Sequence, residues 1–358
     1  MTQNAVSNRQ PLVSIIMPAY NAGAFLAQAV TSVLNQTYPH WELLIIDDAS
    51  TDDTAAVAAR FTDERIRYHR VAKIGFPAGV RNTALRRAQG DLIAFLDADD
   101  VYYPQTLATL LAPLLRESHW QASYGYPQHI NTEGAPETTQ SVYLAPCDAT
   151  ADAQPAGSRI SWKNVVLGEF MCNLPALMMR RSLFESVGLF NETLGATEDY
   201  EYFVRIFLKA DLAHIAAVPA YVYQYRVHPA SLTKDPARYA VLLETSVRLV
   251  DWLYRDCQFP VDIQPYRSQA YTECYRYLAR ERLLLGHGGL ARVISMQAWR
   301  HPGIRRADWL KYFLPIMVRS FLPTALDHWL VNRKAGRKAA ASPASASSAA
   351  LQPQGVLS

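Results

Sequence analysis

The sequence contains little cysteine. Its 358 residues include four cysteines: Cys147, Cys172, Cys257 and Cys274. None lies in a CxxC pair or at a sequence spacing from a histidine that is typical of metal sites. This scarcity argues against a structural zinc site and against a dense disulfide framework. We predict free thiols in a reducing compartment, with one disulfide pair as the alternative.

Long apolar segments are also missing. No stretch approaches the roughly 20 apolar residues that a membrane-spanning helix needs. Residues 1–10 are polar, lack the apolar core of a secretion signal and are predicted to form an N-terminal tail. These absences predict a cytoplasmic protein, with peripheral attachment to the inner face of a membrane as a second option.

Charge of one sign is not in excess. The chain has 35 Lys or Arg residues and 32 Asp or Glu residues, a net charge of +3. Proteins that bind nucleic acids usually carry a concentrated basic surface, so we predict no nucleic-acid partner. Half of the residues are hydrophobic, which is enough for a large buried core.

Apolar runs and helical spacings alternate through the first hundred residues. The apolar runs predict strands at 12–17, 41–46, 66–70 and 92–96. Helical spacing lies between them, at 22–35, from Ser50 and Thr51 onward, and at 77–88. Strands separated by helices of this length predict an α/β fold with a doubly wound, mostly parallel sheet and flanking helices.

The pattern is more mixed after Tyr102. We predict a helix at 105–117, a strand at 122–130, a long loop at 131–158, helical signals at 162–181, a helix at 198–209 and strand-like runs at 213–218 and 221–226. A helical C-terminal region follows at 234–333. Residues 334–358 are rich in Ala, Ser and Pro without periodicity, which predicts a disordered tail.

Acidic residues follow two of the predicted strands. Asp47 and Asp48 come after the second strand, and Asp97, Asp99 and Asp100 come after the fourth. The carboxyl ends of parallel strands meet at one edge of a sheet, where ligands bind. Clustered carboxylates repel one another, so we expect a cation or hydrogen-bond donors among them.

Asp97 and Asp99 stand at alternate positions and could approach one bound ion. Carboxylate oxygens suit Mg²⁺ or Mn²⁺, which proteins often share with a diphosphate. The structural alternative is capping of the next helix, because Asp is a favoured capping residue. The pair Asp47–Asp48 has the same alternative, since Ser50 follows it as an ordinary helix start.

Seven segments, in this order, resemble family 2 glycosyltransferases, which have the GT-A fold. They span roughly residues 11–233 and read VSIIMPAYN (13–21), IDDASTDDT (46–54), AGVRN (78–82), GDLIAFLDADD (90–100), GLFNE (188–192), TEDY (197–200) and YRVH (225–228). The resemblance implies a GT-A catalytic domain at 11–233, with a donor half at 11–101 and an acceptor half at 102–233.

The resemblance also implies the residues that bind the donor. Asp48 should accept a hydrogen bond from the nucleotide base, and three residues should line the base site: Pro18, Ala19 and Tyr20. Asp97 should lie beside the ribose or the sugar of the donor. Arg81 should steady the donor phosphates or sugar; its alternative is a salt bridge to a nearby aspartate.

The catalytic and metal-binding residues follow from the same resemblance. Asp99 should bind Mn²⁺ or Mg²⁺ directly, with His228 as a second contact; a hydrogen-bonded surface histidine is the alternative. Asp199 should be the base that deprotonates the acceptor hydroxyl. Glu198, on the acceptor side, should orient the local loop. Capping of a helix is the alternative for both acidic residues.

We therefore predict a metal-dependent, inverting glycosyltransferase. It would move one sugar from a nucleoside diphosphate, with uridine as the default base, to a hydroxyl of a glycan or lipid-linked acceptor in bacterial surface polysaccharide or glycoconjugate synthesis. A sugar nucleotidyltransferase and a non-catalytic nucleotide-sugar-binding protein are the alternatives. The first strand is followed by no basic, Gly-rich loop for a triphosphate, which disfavours nucleotidyl transfer.

The C-terminal region mixes aromatic, aliphatic and basic residues, such as Trp309, Phe313 and Phe321 among Arg305, Arg306 and Lys311. This mixture suits helices in an anionic membrane interface. Packing onto the catalytic domain is the alternative. The sequence does not predict the oligomeric state.

Overall fold

The protein is described by a computed structural model covering residues 10–136, 154–155, 160–167, 173–228, 238–284 and 286–321. The chain divides into two compact units, residues 1–274 and residues 275–358. Apart from Gln10, both predicted tails lie outside the described residues, as do Cys147 and Cys172. Cys257 and Cys274 are free thiols, as predicted.

The first part of the chain alternates strands and helices, as the sequence predicts. The elements are β1 (Val13–Ala19), α1 (Gly23–Leu34), β2 (Trp41–Asp47), α2 (Thr54–Ala58), β3 (Ile66–Arg70), α3 (Pro77–Leu85) and β4 (Leu92–Phe95). Strand β2 is buried at all seven positions, which explains its nearly continuous apolar sequence.

Helix α2 begins at Thr54, later than the predicted start at Ser50 and Thr51. The reason is that polar groups of the intervening residues form hydrogen bonds with loop residues, so these residues do not form a helical turn. Ser50 N–H donates to Asp47 Oδ1 at 2.9 Å, and Gly23 N–H donates to Asp52 Oδ2 at 2.9 Å.

The remaining elements of the first unit include longer strands and the connecting helices. They are β5 (Val101–Tyr102), α4 (Thr106–Arg116), β6 (Ala122–Ile130), β7 (Gln154–Pro155), α5 (Trp162–Leu167), β8 (Leu177–Arg180), α6 (Arg181–Val187), α7 (Glu198–Ala210), β9 (Ile215–Arg226), α8 (Arg238–Arg255) and α9 (Arg267–Leu284), which runs into the second unit. Short 3₁₀ turns lie at Leu174–Ala176, Leu212–His214 and Gln264–Tyr266.

These strands form one sheet in the order β3-β2-β1-β4-β8-β6-β9-β5, and β7 pairs with β9. The longest ladders are parallel: β1 with β2, β2 with β3, β1 with β4, and β6 with β9. Alternate residues pack on opposite faces; Ile16 and Phe95 join one core, whereas Ile15 and Ala94 join the other. The predicted doubly wound, mostly parallel sheet is confirmed.

Strand β8 corrects the prediction for residues 162–181, which were expected to be helical. It lies in the middle of the sheet and pairs antiparallel with β4 and with β6. Its four residues, LMMR, are an apolar run too short for periodicity to distinguish a strand from a helix. Likewise, the two runs predicted at 213–218 and 221–226 form one strand, β9, which passes through Pro219.

The second unit is helical, as predicted. Beyond the end of α9 it contains α10 (Gly288–Arg300), α11 (Arg306–Tyr312) and α12 (Leu314–Arg319). Trp309 and Phe313 are buried in its core, and the Trp309 indole N–H donates to the carbonyl of Ser295 at 2.7 Å. Among the described residues, no helix is long and apolar enough to cross a bilayer.

Candidate active site

The loops after β1 and β2 are held together by a short hydrogen-bonded network. Asn21 N–H donates to Ser50 Oγ at 2.8 Å, and Thr51 N–H donates to Asn21 Oδ1 at 2.8 Å. Asn21 and Ala49 have φ angles of +47° and +56°, in the left-handed region that non-glycine residues rarely adopt. Backbone strain of this kind is typical of functional sites, where the surrounding contacts maintain it.

Asp48 lies in this network with its carboxylate almost fully buried. Gly75 N–H donates to Oδ2 at 2.9 Å, Ile74 N–H donates to Oδ1, and Lys73 Nζ lies 3.0 Å from Oδ2. The Lys73 ammonium also lies over the ring of Tyr20, which is half exposed. The loop 73–75 therefore closes over the predicted base site.

Sequence reasoning missed this loop. Gly75 has a φ of +92°, a conformation that glycine adopts without strain. A Lys and a Gly between a strand and a helix were the available signal, but nothing local shows that they return to Asp48. Pro18 and Ala19 are the last two residues of β1 and lie next to Asp48, whose N–H donates to the Ala19 carbonyl at 2.9 Å.

The segment after β4 brings Asp99 next to His228. The imidazole Nε2 of His228 lies 3.0 Å from Asp99 Oδ2, although the two residues are 129 positions apart. His228 is nearly buried and contacts the ring of Phe25, whereas the Asp99 side chain is 37% exposed. The structure thus places the two predicted metal-binding residues together, with one carboxylate open to solvent.

Arg226, at the end of β9, fixes this pair and was not predicted. Its backbone N–H donates to Asp100 Oδ1 at 2.9 Å, and its Nε donates to the carbonyl of Asp99 at 2.9 Å. Its other nitrogens donate to Thr132 O at 2.8 Å and to Gln28 Oε1 at 2.6 Å. Burial, with the nearby charges of Asp99 and Asp97, raises the pKa of Asp100 well above its ordinary value.

Arg81 connects the segment after β4 with the start of α7. Its guanidinium is buried and forms two ion pairs, 2.8 Å to Asp97 Oδ1 and 3.2 Å to Glu198 Oε1. The salt-bridge interpretation of Arg81 therefore describes this structure, and the expected donor contact stays a prediction. Its Nε has no hydrogen-bond partner among the described residues, although it is buried.

Helix α3, which carries Arg81, is anchored to the segment after α6 by the next residue, Asn82. Asn82 Nδ2 donates to the carbonyl of Phe190 at 3.0 Å and to Glu192 Oε1 at 2.7 Å. In return, Phe190 N–H donates to Asn82 Oδ1 at 2.8 Å. The motifs at 78–82 and 188–192 therefore meet, and their contact fixes the position of Arg81.

Glu198 and Asp199 occupy the first turn of α7. Burial and the charge of Asp199 raise the pKa of Glu198 to about 7, and Arg81 opposes this shift. Burial likewise raises the pKa of Asp199, again opposed by Arg81. A buried carboxylate with a raised pKa is suited to accept a proton near neutral pH. Their place in the first turn also agrees with a favourable interaction with the helix dipole.

The donor chemistry of the site fits a divalent cation in part. No group of three His, Cys, Asp or Glu residues that could hold a metal occurs within the described parts of the chain. Asp99 and His228 would supply two ligands, and Mg²⁺ commonly takes only one or two carboxylates and completes its shell with water and phosphate oxygens. The residues present therefore fit a cation that is shared with a diphosphate.

Comparison with solved structures establishes the fold. TarS from S. aureus, in a crystal structure with UDP-GlcNAc, superposes with a TM-score of 0.56 at 18% identity, over 86% of this chain and 90% of that one. The mannosyltransferase PcManGT from Pyrobaculum calidifontis, in complex with GDP-Man and Mn²⁺, gives 0.52 at 19% identity, over 89% and 88%. The protein has the GT-A fold.

Sequence comparison agrees with the motifs. Residues 14–188 of the protein match Glycosyl transferase family 2, the family that the sequence motifs indicated. It is 42% identical over 120 residues to the Escherichia coli UDP-Glc:alpha-D-GlcNAc-diphosphoundecaprenol beta-1,3-glucosyltransferase WfgD, over 34% of this chain and 47% of that protein.

A second relative, the putative teichuronic acid biosynthesis glycosyltransferase TuaG of Bacillus subtilis, is 41% identical over 123 residues, which are 34% of this chain and 49% of that protein. The chain thus spans about half the length of these curated relatives.

Proposed function

We propose that the protein is an inverting glycosyltransferase that moves a single sugar from a nucleoside-diphosphate donor, with UDP as the expected carrier, to a hydroxyl of a glycan or lipid-linked acceptor. The observation that carries the proposal is the convergence of Asp97, from the donor half, and Glu198, from the acceptor half, on the buried guanidinium of Arg81. Asp199 adjoins Glu198, so a candidate base lies beside the donor side of the site.

The base site is formed by Asp48 with Pro18, Ala19 and Tyr20. Asp48 Oδ1 accepts one hydrogen bond, from Ile74 N–H, and a carboxylate oxygen has lone pairs for two. Uracil presents an imide N–H donor that could use the second. Tyr20 is half exposed and offers a ring on which a base can stack.

Asp99 and His228 would hold Mn²⁺ or Mg²⁺ at the diphosphate. When bound, such an ion neutralises the charge that develops on the leaving diphosphate. Arg226 holds the backbone of Asp99, so the carboxylate is positioned before any ion arrives. The Mn²⁺ in the structure of PcManGT supports the choice of metal.

Asp199 would act as the general base. As the acceptor oxygen attacks the anomeric carbon, its proton passes to the Asp199 carboxylate, and the bond between the anomeric carbon and the diphosphate oxygen breaks. The raised pKa of Asp199 makes its carboxylate a stronger proton acceptor than an ordinary aspartate. Glu198, paired with Arg81, would orient the start of α7 on the acceptor side.

The biological setting is proposed from the relatives. WfgD carries a diphosphoundecaprenol acceptor in its name, and TuaG is named for teichuronic acid biosynthesis. We accordingly propose a role in bacterial surface polysaccharide or glycoconjugate synthesis, at the cytoplasmic side of the membrane where nucleotide sugars are present.

Thermal unfolding with and without donors tests the proposal. UDP-sugars should raise the melting temperature in the presence of Mn²⁺, because a ligand that binds only the folded state stabilises it. A chelator should remove most of this shift. GDP- and dTDP-sugars test the choice of base, and a nucleoside triphosphate tests the nucleotidyltransferase alternative. Absence of a shift with every nucleoside diphosphate would contradict the proposal.

A further inference from the structure

The second unit has a charge unlike that of the rest of the chain. Between Tyr275 and Phe321, the sequence contains nine Lys or Arg residues but only two acidic residues, Glu281 and Asp308. Arg305 pairs with Asp308 at 2.8 Å, which leaves a strong excess of positive charge. A surface of this kind attracts anionic partners, and each basic residue near an anionic bilayer strengthens the attraction.

The same unit exposes large apolar side chains in rows along two helices. On α10 the row is Leu290, Val293 and Met296, and Val293 is 54% exposed. Along α12 and two residues beyond its end, the row is Leu314, Val318 and Phe321. Val318 is 58% exposed and Phe321 is 70% exposed. Spacings of three and four residues place the side chains of each row on one side of its helix.

The two rows lie on adjoining helices. Arg292 of α10 donates to the carbonyl of Ser320 at 2.6 Å, and its guanidinium lies 4.5 Å from the ring of Phe321. A Cβ atom on Gly288 would approach the carbonyl oxygen of Ser320 to 2.6 Å, so the backbones meet closely there. We call the two apolar rows on these adjoining helices, together with Arg292, the α10–α12 face.

We propose that the α10–α12 face docks the protein onto an anionic lipid bilayer. Apolar side chains combined with an excess of basic residues are the composition of helices that lie in a membrane interface. No described helix can span a bilayer, so the contact would be at the surface. Of the residues expected from the sequence, Phe321 is exposed, whereas Trp309 and Phe313 are buried, and α10 adds an apolar row of its own.

Vesicle flotation of the full chain tests this proposal without reference to enzymatic activity. The protein should float with vesicles of equimolar phosphatidylcholine and phosphatidylglycerol and should remain unbound with phosphatidylcholine alone. Salt at 1 M, where the Debye length is about 3 Å, should release most of it. Equal flotation with both kinds of vesicle, or with neither, would overturn the proposal.

Two variants with matched controls locate the contact. Val293→Ser combined with Phe321→Ser should weaken partitioning about tenfold or more, since it removes apolar side chains that would enter the interface. Arg300→Gln should weaken it about fivefold. Leu115→Ser and Arg60→Gln change exposed residues of the first unit and should leave partitioning unchanged.

The remaining outcomes identify a different occupant. If light scattering shows a dimer that Val293→Ser with Phe321→Ser dissociates, the face joins two copies of the chain and the lipid proposal is overturned. If these substitutions leave flotation unchanged but replacement of four basic residues beyond the face abolishes it, those residues carry the contact instead: Arg333, Lys334, Arg337 and Lys338.

Discussion

The two units of the protein use charge in opposite ways. Residues 1–274 contain 22 Lys or Arg and 29 Asp or Glu, whereas residues 275–358 contain 13 and 3. In the first unit the decisive charges are buried and paired, as with Arg81 between Asp97 and Glu198. In the second unit the basic residues outnumber the acidic residues by 13 to 3. The balanced total of +3 conceals this separation.

The difference indicates that the two units meet different partners. Buried, paired charges in a strained frame are suited to position a small charged substrate, because their geometry is fixed before the substrate binds. An excess of one charge beside exposed apolar rows is suited to a broad surface of opposite charge. The first unit should therefore be sensitive to single substitutions, and the second unit should respond gradually. Four experiments test this contrast.

The largest effect is expected for Asp199→Asn. An amide cannot accept the acceptor proton, so kcat should fall about 10²- to 10⁴-fold, the usual contribution of a general base. Donor-dependent thermal stabilisation should persist, because the base site and Asp99 are unchanged. Rates measured with UDP-sugar donors and candidate acceptors check the first outcome. Unchanged turnover would remove Asp199 from the mechanism.

Arg81→Met should reduce both stability and activity. It leaves the buried carboxylate of Glu198 without its partner, and breaking a buried ion pair costs about 3–5 kcal/mol. The arginine also holds down the pKa of Asp199, so its loss should move the acidic limb of the kcat/KM profile to higher pH. Urea unfolding and pH–rate profiles measure the two effects.

Arg86→Met is the matched control, because Arg86 is largely exposed and lies 3.8 Å from Glu192. Exposed ion pairs contribute about 1 kcal/mol or less. If both variants lose equal stability, the contrast between buried and exposed charge does not hold at this helix.

Glu198→Gln should change the pH dependence of stability. The folded-state pKa is about 7, above the ordinary value of 4.5, so the folded protein binds a proton more readily than the unfolded chain does. Through this group, the free energy of unfolding of the unmodified protein should fall as pH rises from 4.5 to 7. The variant should show a flatter dependence across that window, and Glu244→Gln, at an exposed position, should show no change.

The smallest effect is expected for Val293→Ser with Phe321→Ser in a transfer assay that uses a water-soluble acceptor. These two residues are exposed side chains of the second unit, and substitutions at exposed positions usually have small effects. The value of kcat should therefore stay within about twofold. A large loss with the soluble acceptor would mean that the α10–α12 face supports catalysis directly.

Much of the first unit could be predicted because its signals are local. Apolar runs and helical spacing predicted β1 to β4 and α1 to within a few residues, and β6 exactly. Strand β8 could not be predicted, since four apolar residues carry no period, and its strand form depends on pairing with β4 and β6. The residues next to β8 in the sequence do not indicate with which distant strands it pairs.

The sequence predicted the residues of the candidate site, but not which of them form hydrogen bonds or ion pairs with each other. Acidic residues at strand ends and motif order identified Asp48, Asp97, Asp99 and Asp199. The partners depend on contacts between distant segments, and Arg81 meets Glu198 across 117 positions. Arg226 was missed because most of its hydrogen bonds are to backbone carbonyls, which leave no trace in side-chain patterns.

The hydrogen bond from Arg226 to the backbone of Asp99 affects how the protein would bind an ion. The arginine locks the main chain of Asp99 to the end of β9, and His228 lies only two residues beyond it. The spacing of the two proposed ligands is thus set by the register of the short antiparallel pairing of β5 with β9, and folding completes that alignment in advance. Little rearrangement should accompany ion capture, and such preorganisation favours affinity.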